Sequence, residues 1–123
     1  MILELYAATL GQESPFHGTK LSMTVDDRYH LQLQEYADGR VLIRTRLRKL
    51  PEHGPARDEV LQLCGRVLSG RMLRALVTCA IDARERAVWL QQTCVPGSTQ
   101  VLDECVGAFV NELAFWVSVV KEE

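Results

Sequence analysis

The spacing of apolar positions along this chain switches repeatedly between the helical period and the strand period. Ile2, Leu3, Tyr6 and Leu10 recur at helical spacing and Gly11 stops the run, so a short helix is expected over residues 1–10. So short a helix is marginal alone and must dock on something. Ser14, Pro15, Phe16, His17 and Gly18 then read as a loop.

Three alternating segments follow, over residues 20–25, 28–36 and 41–50, and read as half-buried antiparallel strands. Their pairing can be tested on the sequence, because a slip of one residue turns every side chain to the other face. A two-residue turn at Asp38-Gly39 would set Leu33 opposite Arg44 and mix the faces. A three-residue loop, Asp38-Gly39-Arg40 with a left-handed glycine, pairs Leu31 with Leu47 and Leu33 with Thr45. The same reasoning at Asp26-Asp27-Arg28 sets Met23 opposite Leu31. The expected buried face comprises Leu21, Met23, Val25, Tyr29, Leu31, Leu33, Val41, Ile43 and Leu47. Thr24, His30, Gln32, Gln34, Tyr36, Leu42, Arg44, Arg46 and Arg48 fall on the other.

Pro51 to Pro55 breaks this pattern, and a proline suits a helix start because its missing N–H is not needed there. Asp58 and Glu59 in the first turn favour the same reading. Val60, Leu61, Leu63, Cys64, Val67, Leu68 and Met72 then make a stripe wider than one face requires, as in a helix that touches two surfaces. Residues 75–82 and 87–95 flank a polar turn at 83–86, and their pairing sets Cys79 near Leu90 rather than Cys94. After Pro96-Gly97-Ser98-Thr99, which can cap a helix, apolar residues from Val101 to Val120 keep helical spacing for nearly six turns. The expected fold class is α+β, in the order α-β-β-β-α-β-β-α. It has a five-stranded, mainly antiparallel twisted sheet with three helices packed on one face. Residues 1–123 form one domain.

Composition narrows the function. Apolar residues make up 47% and charged residues 24%, which is ordinary for a globular domain, and the net charge of −2 disfavours bulk binding to nucleic acid or anionic membranes. The first ten residues lack a basic region and a cleavage site, and no apolar stretch is long enough to span a membrane; a cytosolic protein is expected. Cys64, Cys79, Cys94 and Cys105 show no C-x-x-C spacing and no nearby histidine, so free buried thiols are expected rather than zinc. His17, His30 and His53 adjoin no nucleophile motif. The acidic pairs Asp26-Asp27, Asp58-Glu59 and Asp103-Glu104 are sequence neighbours that do not share a face, so turns and caps account for them. Neither enzymatic activity nor a cofactor is expected. Arg44, Arg46 and Arg48 form a basic row with three readings: a solvated strand face that deters edge aggregation, a nucleic-acid surface, or a seat for an acidic protein.

The order of elements resembles the class I type III secretion chaperones, small acidic dimeric proteins that hold effectors for export. The resemblance is carried by the hairpin from Leu76 to Leu90, by Pro96-Gly97-Ser98-Thr99 with the helix from Val101 to Val120, and by the segments Leu3 to Gly11 and Leu21 to Ile43. It implies a homodimer joined through the second helix, with Leu61, Cys64, Leu68, Met72 and Leu76 at the interface. It implies an effector N-terminal segment bound in extended form near Leu3, Tyr6 and Leu10. Tyr36, Leu42, Arg44 and Arg46 on the outer sheet face complete the expected effector contacts. The pronounced basic row departs from the family and leaves open a heterodimer with a related chaperone or a regulatory role. A roadblock- or longin-like scaffold is a further reading, and it would place two strands before the second helix and three after.

Overall fold

The computed structural model describes residues 2–10, 16–71 and 77–120. Helix α1 (Ile2–Leu10) leads to strands β1 (Phe16–His17), β2 (Lys20–Val25), β3 (Tyr29–Glu35) and β4 (Val41–Lys49). Helix α2 (Pro55–Arg71), strands β5 (Thr78–Asp82) and β6 (Ala87–Cys94) and helix α3 (Thr99–Val120) complete the chain. One antiparallel sheet runs in the order β1-β2-β3-β4-β6-β5. The five expected strands are all present; the two-residue β1, in a segment read as loop, adds a short lip beside β2. Three full strands precede α2 and two follow it, the reverse of the order a roadblock- or longin-like scaffold requires.

The hairpins show which local rules decide register. Asp26 and Asp27 both adopt positive φ (54° and 55°), and Val25 pairs with Tyr29 and Met23 with Leu31, as expected. Between β3 and β4 the expected pairing is corrected by two residues: Leu33 faces Ile43, not Thr45. The loop is Ala37-Asp38-Gly39, closed by the Gly39 amide on the Tyr36 carbonyl (3.0 Å) and the Tyr36 amide on the Arg40 carbonyl (2.9 Å). In a three-residue loop the left-handed residue comes last, and Gly39, with φ 89°, takes that place. A shift of two preserves the faces, so the apolar side is still buried. On the third hairpin, Cys79 faces Leu90 as expected.

A second correction concerns the basic row. A β-bulge separates Arg46, opposite Trp89, from Arg48, opposite Val88, leaving Leu47 as the extra residue. Val88 belongs to the core, so Arg48 lies on the helix side, where its guanidinium reaches the Val120 carbonyl at 3.4 Å. Only Arg44 and Arg46 keep the outer face, joined past the bulge by Lys49.

The core lies between the sheet and the helices. Leu21, Leu31, Leu33, Val41, Ile43 and Leu90 meet Leu3 and Tyr6 of α1 and Leu102, Phe109, Leu113 and Trp116 of α3. Ser98 starts α3, its Oγ accepting from the Val101 amide at 3.2 Å. No described helix is long and apolar enough to cross a membrane.

Candidate partner-binding surfaces

Three surfaces carry the residues expected to bind partners. On α1, Leu3 and Tyr6 are turned into the core at 0% and 2% exposure. The Leu3 amide donates to Glu35 Oε1 (2.8 Å) and the Tyr6 hydroxyl to Asp103 Oδ1 (2.8 Å). Burial first, then Asp103, raises the Tyr6 phenol well above its ordinary pKa. These two residues fix the helix in place. Leu10 is half-buried, and the large apolar side chain that α1 exposes is Leu5.

Helix α2 is attached lightly. Of its 17 residues, only Val60 and Cys64 are buried. Leu61, Leu63, Val67 and Leu68 remain half-covered at the edge of the core. Cys64 is turned inward toward the thiol of Cys79 on β5, while Leu61 and Leu68 keep accessible surface. Met72 and Leu76 lie outside the described residues. A second pair of thiols joins β6 to α3, where burial and the neighbouring Cys105 push Cys94 up to about 12. All four cysteines are free; only Cys64 is fully buried.

What anchors α2 is a group the sequence reading passed over. Glu112, 7% exposed, lies on the inward face of α3. Its carboxylate accepts two hydrogen bonds from Arg71 at the end of α2 (2.9 and 2.7 Å) and one from the Trp116 indole (3.1 Å). Arg71 also covers the Phe115 ring at 4.2 Å. The arginine holds the Glu112 carboxyl below its ordinary range. The available signal was a lone acid between Phe109 and Leu113, four residues before a tryptophan on an apolar face.

The third surface is the outer face of the sheet. Tyr36 is exposed at the β3–β4 turn and Leu42 is half-buried on β4. Arg44 lies 3.9 Å over the Trp89 ring, and this stack keeps Trp89 only 8% exposed although no described helix covers it. Arg44 Nε and Trp89 Nε1 are both buried and have no hydrogen-bond partner among the described residues. Depressions of about 270 and 230 Å³ flank the stack, the first against Lys20 and Gln34, the second against Arg46 and His30. The β3–β4 ladder ends at Gln32 and Arg44. Beyond it the Thr45 hydroxyl donates to the His30 carbonyl at 2.7 Å. Among the described residues, no group of His, Cys, Asp or Glu could hold a metal.

No family model matches the sequence, and no curated protein matches it. Solved structures are similar to it over nearly their whole length. A chain of the HopA1–SchA chaperone–effector complex matches with a TM-score of 0.64 at 18% identity, over 94% of this chain and 89% of that one. A chain of the ExsC–ExsE complex matches with a TM-score of 0.70 at 15% identity, over 97% and 90%. A chain from the complex of the Yersinia pestis type III secretion chaperone SycH with a stable fragment of YscM2 matches with a TM-score of 0.58 at 15% identity, over 94% and 96%. At such identities the likeness establishes the fold, and the fold of this chain is the one found in these chaperone complexes.

Proposed function

We propose that this protein is a type III secretion chaperone that binds the N-terminal segment of a secreted effector in extended form and keeps it competent for export. The observation that carries this reading is the likeness, over nearly the whole chain, to chains from complexes of a chaperone with an effector or another partner. Such work needs surface, not catalytic groups: the chain acts without a cofactor, in the bacterial cytoplasm, and binds by apolar burial offset by the ordering of the bound segment.

In this reading two copies join through α2. Leu61 and Leu68 supply the exposed part of the interface, Cys64 supports them from inside, and Met72 and Leu76 extend it. A helix that buries two of 17 residues in its own chain has apolar surface left for a second copy. The effector segment runs past α1 at Leu5 and Leu10, braced by Leu3 and Tyr6, and across the outer face at Tyr36, Leu42, Arg44 and Arg46.

Light scattering on the purified protein and on Leu68→Asp tests it. The expected wild-type mass is near twice 13.9 kDa, and the substitution converts it to monomer. The secreted protein encoded beside the gene is expected to co-purify with the dimer, its N-terminal segment protected from protease but not folded. A wild-type monomer at tens of micromolar overturns the dimer, and a partner held as a folded domain overturns the chaperone.

A further inference from the structure

We propose that the outer face of the sheet, centred on Arg44, Arg46 and Trp89, is the seat of an acidic stretch of the bound polypeptide. This deepens the chaperone reading and rests on it.

Charge is the first ground. The chain as a whole carries −2. On the outer face the register gathers Lys20, Arg44, Arg46 and Lys49, against one carboxylate among the described strand residues, Asp82, at the far corner. Asp82 Oδ1 already accepts the amides of Arg84 and Glu85 in the hairpin turn. A positive field of this kind on an acidic molecule selects an acidic partner segment.

The second ground is a comparison inside the molecule. At the α2–α3 contact, an arginine Nε and a tryptophan Nε1 share one carboxylate oxygen, Glu112 Oε1. On the outer face the same two donors, Arg44 Nε and Trp89 Nε1, come together with no carboxylate and no hydrogen-bond partner among the described residues, and both are buried. An unsatisfied buried donor costs about 1–3 kcal/mol. Arg44 has a long, rotatable side chain. Lifted from the indole by an incoming Asp or Glu, it can turn its donors toward that carboxylate and uncover the indole N–H. Room for neighbouring side chains of the segment exists in the two depressions beside the stack. Single-stranded nucleic acid fits less well, because the guanidinium already occupies the indole face on which a base would stack.

The test is selection from a display library of random short peptides on the wild-type protein and on the double charge swap Arg44→Glu with Arg46→Glu. Peptides rich in Asp and Glu are expected from the wild type, and peptides rich in Lys and Arg from the swap. Synthetic copies of the acidic peptides should bind about tenfold or more weakly to Arg44→Ala with Arg46→Ala. Trp89→Phe keeps the ring but removes the N–H, and is expected to weaken them as well with an unchanged circular dichroism spectrum. Peptides without acidic bias, or acidic peptides indifferent to both arginines, overturn the seat while leaving the chaperone reading intact. Failure to enrich any peptide overturns both. A labelled oligothymidine that binds more tightly than the acidic peptides, and is lost with the arginines, overturns the proposal in favour of a nucleic-acid surface.

Discussion

Helices α2 and α3 are both long, yet the fold uses them differently. Over 22 residues α3 buries eight, among them Phe109 and Trp116 at 0% exposure, and crosses the middle of the sheet. Over 17 residues α2 buries two, touches β5 and α3, and is held at its far end by the Arg71–Glu112 pair. One helix completes the core of a single chain. The other has a core-facing edge and apolar residues to spare, and the proposed dimer places its contact there. A matched substitution breaks or sharpens this contrast. Leu113→Ala on α3, 2% exposed in wild type, is expected to cost about 3 kcal/mol in denaturant unfolding. Leu68→Ala on α2 is expected to cost the monomer about 1 kcal/mol, less than the core substitution, because part of its surface never leaves water. Its effect should instead be a loss of the concentration dependence that a dimer imparts to stability. Equal costs in dilute protein would erase the distinction.

The next effect concerns the pair that links the two helices. Glu112→Gln is expected to remove about 2 kcal/mol at neutral pH, below the usual cost of breaking a fully buried pair because Arg71 keeps some water. The pH dependence follows from the direction of the Glu112 shift. Hydrogen bonds from Arg71, and from Trp116, hold the folded carboxyl below its ordinary 4.5, so the unfolded chain binds that proton more readily. Its stabilisation is therefore complete above about pH 4.5 and is lost as pH falls through the folded value. Wild type should lose stability steeply on acidification and Glu112→Gln less steeply, as read by thermal melts across that range. Parallel acid limbs would mean that the pair contributes nothing.

These contrasts also mark what the sequence could and could not tell. Period alone placed the helices and five strands, because each buries one face and the apolar residues must recur accordingly. It also separated the faces correctly from Leu21 to Ile43. The β3–β4 register escaped it by two residues, since a shift of two leaves every face unchanged and only the conformation of Gly39 distinguishes the choices. The bulge at Leu47 escaped for a related reason: alternation continues in the letters through Val41, Ile43, Thr45 and Leu47 while the backbone gains a residue, which turns Arg48 inward. Glu112 and the stack of Arg44 on Trp89 depend on side chains from separate elements, and no spacing along one element reveals them. Leu3 and Tyr6 show the converse, for their helical spacing signalled a docked face without saying that the docking is internal.

The smallest effect asks whether α2 and α3 unfold together. Ser98 accepts the Val101 amide at the start of α3, and Ser98→Ala should cost about 1 kcal/mol. Placed in the Leu68→Asp background, which is expected to remove the proposed dimer, the substitution should act selectively. Amides in the middle of α3 belong to the core and exchange with solvent only through global unfolding, so their protection should fall roughly fivefold. Amides of α2, held by two buried side chains and one ion pair, should already exchange through local opening and remain unchanged. Hydrogen exchange read residue by residue distinguishes the two. A common fall in both helices would mean that α2 is part of the monomer's cooperative unit. Its spare apolar edge would then be a covered face of the core rather than a surface waiting for a second copy.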